Sequence, residues 1–177
     1  FPPDIMDLYA NPTIQEPNGT VNITCKIVDN VGVNVAFINI TFPNGSHINE
    51  SLNRMGNSSY YYFNRSYSLK GTYRYYIWAN DTNNNSVKTA LHKFVIAYAP
   101  HASFNYTPLQ PTDLDIVNFI SNSYDNDGII VNHTWSIYDP ILGKTIARFY
   151  TSNFSYNFPD NGNYEVSLTV VDNDGAW

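Results

Sequence analysis

From residue 20 to residue 28 the chain alternates. Val21, Ile23, Cys25 and Ile27 occupy every second position, with Asn22, Thr24 and Lys26 between them. A period of two puts one set on each face of an extended strand. The same reading predicts strands near 5–10, 20–28, 33–42, 46–52, 59–67, 71–80 and 86–97. It predicts a second series near 102–107, 115–121, 129–138, 144–150, 152–158 and 162–171. Turn signals stand between them, among them Pro17-Asn18-Gly19, Pro43-Asn44-Gly45, Asp127-Gly128, Leu142-Gly143 and Asn161-Gly162. No stretch of helical length repeats at the 3.6-residue period. Many short strands with turn punctuation predict β-sandwiches of about 100 residues each. The fold class is therefore all-β, two tandem immunoglobulin-like sandwiches in 177 residues. The Pro-marked segment Ala97-Tyr98-Ala99-Pro100 is the expected junction, with one domain over 1–97 and the other over 98–177.

Alternation also predicts which side chains face inward. Trp135 and Ile137 share a face with Ile129 and Val131, and Asn132 and Thr134 lie opposite. Phe154, Tyr156 and Phe158 oppose Asn153 and Ser155. If Asn39 and Thr41 point outward, so do Val35 and Phe37, which then need cover from a neighbour. The two halves share a strand signature. Gly71-Thr72-Tyr73-Arg74-Tyr75-Tyr76-Ile77 parallels Gly162-Asn163-Tyr164-Glu165-Val166-Ser167-Leu168, an offset of 91 residues. A Gly-x-Tyr opening fits a tyrosine corner, with the ring in the core and the hydroxyl on backbone upstream. Tyr73, Tyr75 and Ile77 are then inward, and Arg74, Tyr76 and Trp78 form an outward stripe, a candidate surface for sugar stacking or protein contact.

Composition narrows the function. The chain is 43% hydrophobic and 16% aromatic, which disordered chains are not. Net charge is −6 with nine Lys+Arg, so a phosphate-tracking nucleic-acid binder is not expected. No apolar run reaches the ~20 residues of a membrane span. The chain begins at Phe1 without a signal-like run and reads as a piece of something longer. Asparagine is abundant, 25 residues, and twelve of them open an Asn-x-Ser/Thr triplet. Chance alone would give about four at this Ser/Thr content. Genomic AT bias would inflate Lys as well, yet Lys numbers five. The triplets predict a secreted, glycosylated chain, with Asn22, Asn39, Asn132 and Asn153 as acceptor candidates on strand faces.

Catalytic chemistry finds little support. The lone Cys25 lies on an apolar face and reads as a buried hydrophobe. His47, His92, His101 and His133 are scattered without zinc-ligand spacing. Nucleophile-elbow, P-loop and dinucleotide motifs are absent, so no enzyme is expected. The run Asp125-Asn126-Asp127-Gly128 lacks the closing Glu of an EF-hand, since Thr134 stands there. Turn capping by Asx side chains is the expectation.

The second half resembles the PKD domain, an immunoglobulin-like sandwich. The matching residues are Ala102-Ser103-Phe104, Asp115-Ile116-Val117-Asn118-Phe119, Asn122-Ser123-Tyr124-Asp125-Asn126-Asp127-Gly128, Trp135, Tyr156, Gly162 through Val170, and Asp172-Asn173-Asp174-Gly175. After its Trp the family carries Phe-Gly-Asp-Gly, where this chain has Ile137-Tyr138-Asp139-Pro140. The first half resembles immunoglobulin-like and fibronectin-type modules of archaeal and bacterial surface proteins. The resemblance implies a last strand after the Asp172–Gly175 turn, hence a natural chain longer by about ten residues or more. It also implies Asp125 and Asp127 as calcium candidates, with Asn122 or Asp172 beside them. No other cofactor is implied. The function implied is a non-catalytic extracellular spacer or adhesion segment of a larger cell-surface, surface-layer or secreted protein. Its partners would be other surface proteins, glycans and neighbouring domains of the same chain. The alternative is an accessory substrate-binding module of a secreted protease or polysaccharide hydrolase.

Overall fold

Sixteen strands and no helix make up the computed structural model, which describes residues 1–177. They divide into two compact units, Phe1–Ala97 and Tyr98–Trp177. The first unit holds β1 (Asp4–Asn11), β2 (Ile14–Gln15), β3 (Thr20–Val28), β4 (Val33–Thr41), β5 (His47–Ser51), β6 (Asn53–Arg54), β7 (Tyr60–Ser66), β8 (Gly71–Asp81), β9 (Ser86–Lys88) and β10 (His92–Ile96). One sheet runs β1-β3-β7-β6. The other runs β2-β10-β8-β4-β5, with β9 also on β8. The inward residues of β3, β4 and β8 are buried as alternation requires: Val21, Ile23, Cys25 and Ile27, then Ala36, Ile38 and Ile40, then Tyr73, Tyr75, Ile77 and Ala79. Tyr67, Tyr73 and Phe94 close one end of this core, with Tyr73 stacked on Phe94 at 4.9 Å between ring centroids. Burying Phe94 contributes about 1.5–3 kcal/mol. The Tyr73 hydroxyl donates to the Leu69 carbonyl at 2.8 Å, which is the tyrosine corner.

The strand expected over 86–97 is two strands. Both β9 and β10 lie along β8, and Thr89 separates them. The Thr89 hydroxyl accepts from the Ile77 amide, and the Thr89 amide donates to the Ile77 carbonyl. A side chain thus supplies one ladder bond that backbone would have made, and the chain bulges there.

The second unit holds β11 (Phe104–Thr107), β12 (Ile116–Ser121), β13 (Ile130–Asp139), β14 (Lys144–Phe149), β15 (Asn153–Asn157) and β16 (Glu165–Asp172). Its sheets run β11-β12-β15 and β14-β13-β16. Val117, Phe119 and Trp135 are its buried centre, with Phe104, Phe149, Phe154, Tyr156, Phe158, Val166 and Leu168 around them. The Trp135 indole N–H donates to the Thr151 carbonyl at 2.8 Å, so the ring is buried without an unmet donor. Ile129 and Val131, expected inward, are 68% and 58% exposed. The pairing of β13 with β16 shifts register between Ile130 and Asn132. That bulge breaks the period of two, and the inward set starts beyond it.

Candidate functional site

The outward stripe lies on the outer face of the larger sheet of the first unit. Inward Tyr73, Tyr75 and Ile77 force Arg74, Tyr76 and Trp78 to the other side of β8. Register completes the face. Trp78 stands opposite Phe37, Tyr76 opposite Asn39, and Arg74 opposite Thr41. Beyond β4, His47, Asn49 and Ser51 of β5 continue it. On the other side Lys88 pairs with Trp78 and Lys93 with Arg74. Arg74 is exposed, but Tyr76 and Trp78 are half-buried. Trp78 stacks on Phe37, with centroids 6.2 Å apart. The Lys88 ammonium sits 3.9 Å from the centre of the Tyr76 ring, a cation–π contact that caps it. Arg74, Lys88 and Lys93 therefore share a face on which the strands place no Asp or Glu. Sequence reasoning found the stripe but missed this. The signal was present, since Val87 and Phe94 pack inward and so turn Lys88 and Lys93 outward. Their proximity to Arg74 and Trp78 depends on a register that alternation alone does not set.

The Asp125–Gly128 run forms a corner that both units share. In the first unit Asp29 Oδ1 accepts from the Val31 and Gly32 amides, and Asp81 Oδ1 accepts from the Asn83 and Asn85 amides. In the second, Asp125 Oδ1 accepts from the Asp127 amide, and Asp172 Oδ1 from the Asp174 and Ala176 amides. These are the backbone caps expected of Asx residues. The corners differ in their other oxygens. Asp81 Oδ2 accepts from the Asn85 side chain at 2.7 Å. Ala176 holds the position of Asn85, and Asp172 Oδ2, like Asp125 Oδ2, is buried with no hydrogen-bond partner. A Cβ at Gly128 would meet Asn173 Oδ1 and Asp125 Oδ2, and both side-chain ends would have to move. No three His, Cys, Asp or Glu side chains converge as metal ligands. Asn122 is exposed. Asp125 and Asp172 each turn one carboxylate oxygen to backbone amides and bury the other without a partner.

The four acceptor candidates sit differently. Asn132 and Asn153 are exposed, and Asn153 Oδ1 accepts from the Ser121 amide at 3.1 Å. Asn39 is half-buried beside Tyr76. Asn22 lies between Asn11 and Asn64 in a row across β1, β3 and β7, and its Oδ1 is buried without a partner. A similar polar row, Thr107, Asn118 and Ser155, crosses the second unit. Cys25 is free and buried, and burial pushes its thiol up to about 12, which disfavours the thiolate. His92 packs its ring 5.6 Å from Tyr75, and His101 lies 5.1 Å from Tyr124. His47 is exposed and His133 half-buried.

No helix is long and apolar enough to cross a membrane. Residues 98–177 match the family model of the PKD domain. No curated protein matches the chain. Among solved structures it is similar to the fibronectin(III)-like modules of Clostridium thermocellum CbhA, at 14% identity and a TM-score of 0.59, over 96% of this chain and 87% of that one. It is also similar to a tetra-tandem repeat from the extending region of a large adhesion protein, at 17% identity and 0.44, over 98% of this chain and 46% of that one. A third similarity is to dimeric latent PorU from Porphyromonas gingivalis, at 14% identity and 0.42, over 99% and 18%. Such identities speak to fold. Modules of these kinds are typically extracellular parts of multidomain proteins, enzymes among them, and are generally non-catalytic. The second unit, residues 98–177, is thus a PKD-type domain, and the unit before it is a sandwich of the immunoglobulin and fibronectin type.

Proposed function

We propose that the chain is a non-catalytic spacer and adhesion segment of a longer cell-surface or secreted protein, and that the outer face of β4, β8, β9 and β10 engages an anionic surface polymer. The carrying observation is the grouping of Arg74, Lys88 and Lys93 on a carboxylate-free face of a chain whose net charge is −6. In a protein that repels anions overall, such a face is where an acidic partner docks. Trp78 against Phe37 and Tyr76 under Lys88 are already ordered, so contact costs little further side-chain entropy. Each unit has its own core, which suits a module that sets distance under load. The same reading places glycans at the exposed Asn132 and Asn153 before the enclosed Asn22.

A glycan array carrying acidic and neutral saccharides tests the proposal. Acidic saccharides should bind, and the signal should fade as salt rises. Arg74→Ala with Lys93→Ala should abolish it, and Tyr76→Ala with Trp78→Ala should weaken it. Equal binding of neutral and acidic saccharides, or a signal that survives both double changes, overturns it.

A further inference from the structure

The smaller sheet of the first unit carries three tyrosines on its outer face. Tyr61 and Phe63 of β7 pack into the core, so Tyr60, Tyr62 and Asn64 point the other way. Register sets Tyr62 opposite Thr24 of β3, and Tyr9 of β1 stands opposite Thr24 from the other side. Tyr9 reaches that place through a bulge. Met6 pairs with Lys26, and unbroken pairing would then set Leu8 opposite Thr24 and Tyr9 opposite the buried Ile23. The register shift between Met6 and Tyr9 adds one residue, which turns Tyr9 outward and Ala10 inward. Asp7, inside the bulge, has a φ of 53°, a region that L side chains rarely adopt. Backbone strain thus accompanies the display of a ring that is 56% exposed. Tyr60 is exposed as well, and Tyr62 is half-buried. At the centre of the face, Thr24 Oγ1 and Asn22 Oδ1 are buried without a hydrogen-bond partner. The paired positions of the face carry two charges, Asp4 and Lys26, which cancel.

We propose that this face binds a neutral polysaccharide, whose pyranose rings stack on Tyr9, Tyr62 and Tyr60 and whose hydroxyls meet Thr24, Asn22 and the exposed amide of Asn64. A pyranose has a C–H face and a rim of hydroxyls. Tyrosine offers an apolar ring with a polar tip, and amides both donate and accept. A sugar hydroxyl donating to Thr24 Oγ1 or Asn22 Oδ1 supplies the partner each lacks. Two strand spacings, about 10 Å, separate Tyr9 from Tyr62, a distance that two linked pyranose rings span. A nucleic acid also stacks on aromatic rings, but the face lacks the positive groove its phosphates need. A protein partner favours an unbroken apolar centre, and here Thr24 and the amides divide the rings. Contacts of this kind give a Kd on the order of 1 mM, so a polymer holds by repetition along its length. The site lies on the opposite sheet from the basic face and does not depend on it.

Binding that weak is lost in the washes of a glycan array, so the test is a titration in solution. The isotope-labelled full chain is titrated with neutral hexasaccharides of glucose, mannose and N-acetylglucosamine, and with a hexauronate, and followed by NMR. At least one neutral hexasaccharide should shift the amide signals of Tyr9, Thr24 and Tyr62. Tyr9→Ala with Tyr62→Ala should weaken that binding at least about tenfold, while Tyr9→Phe with Tyr62→Phe should keep most of it, because the rings remain. Arg74→Ala with Lys93→Ala should leave it unchanged, so failure here leaves the basic face untouched. Four results each overturn the proposal: no shift with any neutral hexasaccharide, equal shifts with the hexauronate, binding that survives the alanine pair, or equal loss in the alanine and phenylalanine pairs.

Discussion

At the residue scale, two aspartates in equivalent places meet different fates. Burial raises the pKa of Asp81, but the Asn85 side chain and the Asn85 and Asn83 amides outweigh it, so the carboxyl is held below the usual range. A lowered folded pKa makes a stabilising contribution that is complete above about pH 4, the ordinary aspartate value, and is lost as pH falls through the lower one. Asn85→Ala removes part of that lowering. It should reduce the denaturation midpoint at pH 7 and narrow the gap between pH 7 and pH 3, as urea titrations at the two pH values measure. At Asp172 the corresponding side-chain amide is absent, since Ala176 stands there, and one oxygen is buried unpaired. Ala176→Asn should supply it and stabilise the second unit by about 1 kcal/mol in the same titration. Asp172 was legible as a turn residue at the start of Asp172–Gly175. The inequality of the two aspartates was not, because it rests on the side chain four positions downstream in a fold-defined alignment.

At the element scale, the strands were readable wherever one face is buried. Strand β3 carries a strict alternation from Val21 to Ile27, and its burial follows it residue for residue. Readability failed at bulges. Ile129 and Val131 have the composition of a core strand, but the shift between Ile130 and Asn132 turns them outward. Thr89 divided β9 from β10 through a side-chain bond that no periodicity announces. The aromatic stripe was readable as a face, and its cover by Phe37 and Lys88 required register. The Gly-x-Tyr signature marked the buried corner at Tyr73; the half-exposed Tyr164 donates to the Asp160 carboxylate and lies 3.5 Å from the Asp160 carbonyl, where Tyr73 donates to the Leu69 carbonyl. Tyr73→Phe keeps the ring packing and removes only the bond to Leu69. It should cost about 0.5–1.5 kcal/mol of unfolding free energy by urea titration.

At the scale of the whole molecule, two units with separate cores predict two mechanical events. Stretching the chain between its ends by force spectroscopy should give two unfolding steps, each on the order of 30 nm of released contour, with the longer step from the first unit. A single step of twice that length would mean that the units unfold as one. The rows of amides across the sheet faces, Asn11-Asn22-Asn64 in one unit and Thr107-Asn118-Ser155 in the other, carry a consequence of their own. Amides and hydroxyls neither titrate nor are screened by ions, so the exposed row Thr107-Asn118-Ser155 stays hydrated in dilute buffer and in brine alike. A coat built from such faces keeps its solubility where an ionised one would lose its charge to acid or have it masked by salt.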